Sequence, residues 1–233
     1  MSTCISLSIA RLAKCHDWGT MPQAYGLSIP DQLPEVCAPA RCAVIIYDMQ
    51  KGVVPQISAG PEIVMLCRKL LEAARAGGYR VFFTRHFFLP NTVAGVGQLR
   101  RAMVWQRKKK PEETKPFFLQ GSPPWEIVPE LAPREGEVII DKITMSAFEG
   151  TYLNLAMRDA HLDCFIIAGI ALEVGIGPTV RQALDLNLCP VLVTDACGSK
   201  TAAAREQMMS TLEETGEVFA YPSAEVLAAM RPR

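Results

Sequence analysis

Two side chains in the 233-residue sequence have the type and the placement for proton-transfer chemistry: Asp48, in YDMQKG, and Lys142, in DKITMSAFEGT. Each directly follows a short apolar run, CAVIIY at 42–47 or VIID at 138–141. A carboxylate and an ammonium delivered by neighbouring strand ends form a working pair. The carboxylate takes or gives the proton, and the ammonium fixes it and stabilises negative charge as it develops. Each also has a structural reading, as a strand-end cap or a surface charge. Other candidates follow other runs. Arg85 could grip a substrate carboxylate with its bidentate fork or tether a loop. His86 could donate to substrate, shuttle protons, or sit hydrogen-bonded at a strand end. Glu173 could activate water or serve a helix start. Phe87, Trp105 and Trp125 could wall an apolar pocket or pack the core and a subunit interface.

The elements that must position these residues are legible as an alternation. CAVIIY (42–47) is continuously apolar, which suits a strand covered on both faces. Residues 61–78 follow as a helix, with Ile63, Cys67, Leu70, Leu71 and Ala74 on one face and Gly77-Gly78 as its stop. RVFFT (80–84) and VIID (138–141) read as the next strands. A helix over 151–161, a strand CFIIAG (164–169), a helix over 177–187 and a strand VLVT (191–194) continue the series. A helix over 200–214, a strand EVFA (217–220) and a helix over 223–230 close it. The expected fold is α/β, three layers with a six-stranded, mostly parallel, doubly wound sheet. Ligands of such sheets bind beyond the carboxyl ends of the strands, which is where Asp48, Arg85, His86, Lys142, the turn through Gly175, and Asp195 fall.

Residues 1–40, interrupted by Pro22, Pro30, Pro34 and Pro39, read as an N-terminal arm before a domain spanning 41–233. The connection 86–136 is too long for a plain loop and should carry structure or function of its own. Its basic run, Arg107 to Lys110, reads as a solvated segment answered by Glu112 and Glu113. Acidic and basic residues balance at 24 each, so global charge argues for neither nucleic acid nor a membrane surface as partner. Hydrophobic residues make up 49%, enough for a substantial core. The eight cysteines form no CxxC pair and do not cluster with the three histidines, so no metal or cofactor site is expected. They read as small buried hydrophobes of a reducing compartment. With no basic start or apolar run of membrane length, the expected location is cytoplasmic.

Three segments together are more specific than any of them alone. DMQ after the first strand, DK followed by SAFEGT after the third, and the GIALEV turn after the fourth resemble the isochorismatase-like hydrolase superfamily over roughly residues 40–222. The resemblance implies a doubly wound six-stranded fold, a small-molecule substrate and a homodimer or homotetramer. Most members are cysteine hydrolases of amides, in which the Asp activates a thiolate, the Lys assists and backbone amides near the nucleophile form the oxyanion hole. Asp48 and Lys142 match the first two. A cis peptide in the turn would fall at Ile170–Ala171, residues placed with Glu173 at the substrate.

The cysteine position, however, falls on Gly175. Cys164 lies at the start of the fourth strand, Cys189 just precedes the fifth, and Cys197 lies on a different loop. The isochorismatases proper have glycine there; their Asp is thought to protonate an enol-ether carbon before water attacks the oxocarbenium ion. His86 stands where that branch has glutamine. The expectation is a hydrolase without a cysteine nucleophile, using Asp48 and Lys142 with direct water attack on a vinyl ether or related C–O or C–N bond. Its alternatives are a retired member that binds a ligand or serves an assembly, and an amide or carbamoyl hydrolase with a substituted nucleophile.

Overall fold

The computed structural model describes residues 23–30, 32–216 and 218–230. Six strands form one sheet: β1 (Cys42–Tyr47), β2 (Arg80–His86), β3 (Val138–Lys142), β4 (Cys164–Ile170), β5 (Cys189–Gly198) and β6 (Phe219–Tyr221). All five pairings are parallel, in the order β3-β2-β1-β4-β5-β6. The order reverses between β1 and β4, which opens a crevice at their carboxyl ends. CAVIIY and CFIIAGI are buried at every residue because both faces of these central strands are covered.

Among the described residues, five helices pack on the sheet, α1 (Gly60–Ala76), α3 (Leu153–Asp159), α4 (Gly177–Asp185), α5 (Ala202–Glu214) and α6 (Ser223–Ala229), and one more, α2 (Val96–Gln106), lies in the connection between β2 and β3. The stripe Ile63, Cys67, Leu70, Leu71 and Ala74 of α1 is buried as its spacing predicts. It joins alternate side chains of β1, Val44 and Ile46, in one core layer. The other alternates, Ala43, Ile45 and Tyr47, join α3 and α4 in a second.

Of the expected N-terminal arm, residues 1–22 and 31 lie outside the described residues. Residues 23–28 form a two-stranded hairpin, and a single helical turn, Leu33–Val36, sends Leu33 and Val36 into the core. Among the described residues, no helix is long and apolar enough to cross a membrane.

One expectation is met in an unexpected form, and one element departs from the sequence reading. The long connection between β2 and β3 carries structure of its own, as its length implies, in α2, whose Val96, Val104 and Trp105 are exposed and so leave only a weak helical stripe to read. Strand β5 runs through Gly198, past a register shift opposite Ile167–Gly169. Asp195 therefore lies inside the strand, where its carboxylate accepts from the Ser223 amide and hydroxyl, both at 2.7 Å. It caps α6 instead of facing ligand.

Candidate active site

Register fixes what the strand ends present. In the β2–β3 pairing, Arg85 is opposite Asp141 and His86 is opposite Lys142. Alternate residues point to opposite faces, so one pair of each kind goes to each side of the sheet. Lys142 is directed inward, where its Nζ donates to Asp48 Oδ2 at 2.7 Å, to the Tyr47 hydroxyl at 2.9 Å and to the Thr144 carbonyl at 3.3 Å. These three bonds use all the donors of an ammonium.

Asp48 is held equally firmly. Its Oδ1 accepts from the Thr84 hydroxyl at 2.6 Å, and its amide donates back to that hydroxyl at 3.1 Å. Its φ of 46° puts it in the left-handed region, which Asp tolerates better than most residues. The chain thus turns away from β1 and leaves the carboxylate over the strand end. Both charges are nearly out of water, with side-chain exposures of 0% for Lys142 and 9% for Asp48. Burial pulls Lys142 below the usual lysine range, while the neighbouring carboxylate opposes that shift.

The third element is the turn after β4. The Ile170–Ala171 peptide is cis. The chain then winds through Leu172–Ile176 as one π-turn that runs straight into α4. A Cβ added to Gly175 would lie 2.5 and 2.6 Å from ring atoms Cζ and Cε1 of Tyr47, and closer still to its hydroxyl oxygen. Only glycine fits at 175 while Tyr47 keeps its place. The Tyr47 hydroxyl donates to the Met145 carbonyl, and burial raises the phenol well above its ordinary value, so it stays protonated. At the neighbouring Gly169, φ is +142° and a Cβ would press on Tyr47 backbone atoms; the two glycines let the turn close onto β1.

Asp48, Tyr47 and the turn at Gly175 open onto a cavity of about 190 Å³, room for roughly six waters at liquid density or a small organic molecule. Tyr47, Asp48, His86 and Glu173 are polar groups of its lining, beside Ile170, Ala171 and Gly175 of the turn. Val53, Ile57, Trp105, Phe118 and Val174 form its apolar wall, and Lys200 lies at the edge. None of the described cysteines lines it. Cys197 is buried, its thiol pushed up to about 12 by desolvation, so it does not supply a thiolate. Among the described residues, no three His, Cys, Asp or Glu side chains come together to hold a metal ion.

A family model for the isochorismatase domain matches residues 42–222. The chain belongs to the isochorismatase family. It is a hydrolase, in keeping with its relatives. Ureidoacrylate amidohydrolase RutB of Serratia proteamaculans is 27% identical over 195 residues, covering 75% of this chain and 77% of its own. The isochorismatase family protein YwoC of Bacillus subtilis is 29% identical over 157 residues, covering 67% and 77%. A solved cysteine hydrolase from Pseudomonas syringae pv. phaseolicola superposes with a TM-score of 0.69 at 25% identity, covering 82% of this chain and 93% of that one.

Within this isochorismatase-family fold, Asp48, Lys142 and Gly175 come together, with His86, Trp105, Ile170, Ala171 and Glu173 around the cavity. Arg85 and Phe87 do not reach it. The Arg85 fork grips Asp141 at 2.7 and 3.0 Å and its guanidinium lies 3.5 Å over the Trp125 ring, on the other face. His86 is buried, with its Nε2 lacking a hydrogen-bond partner among the described residues, and desolvation lowers its pKa to about 4. It is a neutral imidazole, not a charged donor. Glu173 ties the turn to the loop after β5, its Oε1 accepting from the Lys200 amide at 2.8 Å.

Sequence reasoning missed five contributors. Tyr47 and Thr84 read only as the last apolar and β-branched residues of their strands. Gln50 is fully buried and bonds both ways to the His86 backbone, donating to its carbonyl at 2.9 Å and accepting from its amide at 2.8 Å. Its place in DMQ was the available signal. Thr179 accepts from the Ala147 amide and donates to the Gly175 carbonyl, joining the SAFEGT segment to the turn. Phe118, stacked against Phe88, brings the long connection over the cavity.

Proposed function

We propose that this isochorismatase-family hydrolase cleaves a small molecule without an enzyme thiol. Asp48 transfers the proton, Lys142 is its electrostatic partner, and water attacks directly at a vinyl ether or related C–O or C–N bond. The observation that carries this reading is the cavity's lining: the Asp48 carboxylate, backed by the buried Lys142 ammonium, a glycine in the turn, and no cysteine among the described lining residues.

On a vinyl ether, Asp48 gives its proton to the enol carbon and Lys142 stabilises the carboxylate that results. Water adds to the oxocarbenium carbon and returns its proton to the Asp48 carboxylate, restoring the acid; the hemiketal then collapses, and an alcohol and a carbonyl compound leave. The apolar wall holds the body of the substrate and limits bulk water. Hydrolysis of an amide or carbamoyl C–N bond is the second reading, favoured by the amidohydrolases among the relatives; there Asp48 takes a proton from the attacking water.

A homodimer or homotetramer is part of the same proposal, supported by the exposed Val93, Val96 and Val104 on and beside α2. So are a cytoplasmic setting and a catalytic domain spanning 41–233.

The test is product formation from a panel of enol ethers, amides and carbamates, with Asp48→Asn assayed beside the unaltered protein. Turnover that survives iodoacetamide and is lost in the variant is the expected result. Turnover abolished by modification of a single cysteine, mapped by mass spectrometry, would overturn it. Ligand binding with no turnover across the panel would make the protein a binder.

A further inference from the structure

We propose that Tyr47 is a positioning residue of this site. Its phenol takes the seat that a side chain at position 175 would occupy, holds the Lys142 ammonium, and thereby decides that water attacks in place of an enzyme thiol. The inference deepens the reading above and rests on it for the identity of the reaction.

Three observations converge on the hydroxyl. First, Tyr47 and any side chain at 175 exclude one another: ring carbons at 2.5 and 2.6 Å from a Cβ leave no room, and the oxygen is nearer still. The missing thiol and the phenol are therefore one structural choice made at two positions. Second, the hydroxyl bridges two strand ends. It accepts from Lys142 Nζ at 2.9 Å and donates to the carbonyl of Met145, which lies in the segment after β3. Lys142 is buried, so the loss of this acceptor leaves one ammonium N–H unmet. Third, the phenol is fully buried yet belongs to the cavity lining, next to Asp48. With its own proton committed to Met145, the oxygen keeps a lone pair free to orient water or a substrate donor.

The experiment needs no substrate, so it separates failure of this proposal from failure of the proposed reaction. Gly175→Cys is compared with Tyr47→Val/Gly175→Cys for melting temperature and for alkylation by iodoacetamide, with modification at position 175 read by peptide mass mapping. In the single variant the side chain meets Tyr47, the melting temperature falls and the thiol reacts slowly. In the double variant the seat is vacated, the melting temperature recovers relative to Gly175→Cys, and alkylation at neutral pH is at least tenfold faster.

A single variant with unchanged melting temperature and a fast thiol would overturn the claim to the seat. So would a folded double variant that reacts no faster than the single one. Tyr47→Phe tests the second role and removes only the hydroxyl. Its Lys142 Nζ titration, followed by NMR of labelled lysine, is expected at lower pH than in the unaltered protein, because an acceptor favouring the charged form is gone. An unchanged midpoint would overturn the positioning role, whatever the double variant does.

Discussion

Two ion pairs start one residue apart at the end of β3, Asp141 reaching Arg85 on β2 and Lys142 reaching Asp48 beyond β1, and they differ in their surroundings. Arg85–Asp141 is the more complete as a bond, with two hydrogen bonds of 2.7 and 3.0 Å and an aromatic ring beneath the guanidinium. Lys142–Asp48 has one direct bond at 2.7 Å. Yet the first pair keeps side-chain exposures of 16% and 24%, and the second only 0% and 9%. A partly solvated pair gains little from Coulomb attraction because water screens it. A buried pair carries a large desolvation cost and is kept in place by everything around it. Here that surround is Thr84, Tyr47 and the Thr144 carbonyl. Strong geometry therefore does not mark the pair proposed to react; dryness and an adjoining cavity do.

The widest separation of the two pairs is expected in activity. Asp48→Asn keeps the shape of the carboxylate but removes the transferable proton site, and kcat/KM on any substrate the panel identifies should fall by roughly 10²- to 10⁴-fold. Asp141→Asn should leave kcat/KM within about threefold, since Asp141 does not line the cavity. Steady-state kinetics on both variants decide it. Comparable losses would mean that the outer pair shapes the site and that the contrast is wrong.

Stability should separate them next. Lys142→Met leaves a buried carboxylate without its counter-charge, at a cost of about 3–5 kcal/mol in urea unfolding. Asp48→Asn/Lys142→Met removes both charges and should recover much of that loss, because the interaction is lost only once and no charge stays buried alone. If the two single losses simply add, the pair is not the coupled unit described above.

His86 sharpens the comparison from the other strand, as Lys142's register partner on the inner face. Its folded pKa of about 4 lies below the ordinary 6.5, because burial and the Lys142 charge disfavour the imidazolium. Between those values the unfolded chain binds a proton that the folded one does not. Stability is therefore lost as pH falls from 6.5 towards 4, by up to about 3 kcal/mol for a 2.5-unit gap. Denaturant titrations at pH 7, 5.5 and 4 should show this slope in the unaltered protein and a shallower one in His86→Gln. An equally steep slope in the variant would assign the acid loss to carboxylates instead.

The sequence carried the frame of this site well and its interior poorly, for a physical reason. Strand ends are written in local runs, so Asp48 and Lys142 could be placed from CAVIIY and VIID without knowing which strands pair. Side-chain partners across strands depend on register, which no local run contains. Thr84 meets Asp48 only because β2 lies beside β1, and Tyr47 meets Gly175 only because β4 approaches from the other side. The same limit misplaced Arg85 and His86 as equals after a strand ending at 84. Extending β2 to 86 puts them on opposite faces, one with Asp141 and one at the cavity. Asp195 failed similarly, since the register shift that lengthens β5 has no signature in VLVT.

The smallest effect is the one that tests the outer pair itself. Arg85 holds Asp141 through its fork and covers Trp125, so Arg85→Ala should cost about 1 kcal/mol, from a partly exposed bridge and a cation–π contact of similar size. Arg85→Lys keeps the charge but has neither the planar fork nor the flat face, and most of that cost should remain. Equilibrium urea unfolding at low and at 0.5 M salt measures both. If the pair works mainly through charge, Lys rescues Ala and salt erases the difference. If the stacked plane matters more, Lys fails to rescue and salt changes little; that is the expected result, because the ring lies 3.5 Å from the guanidinium carbon and salt does not screen a contact of that kind.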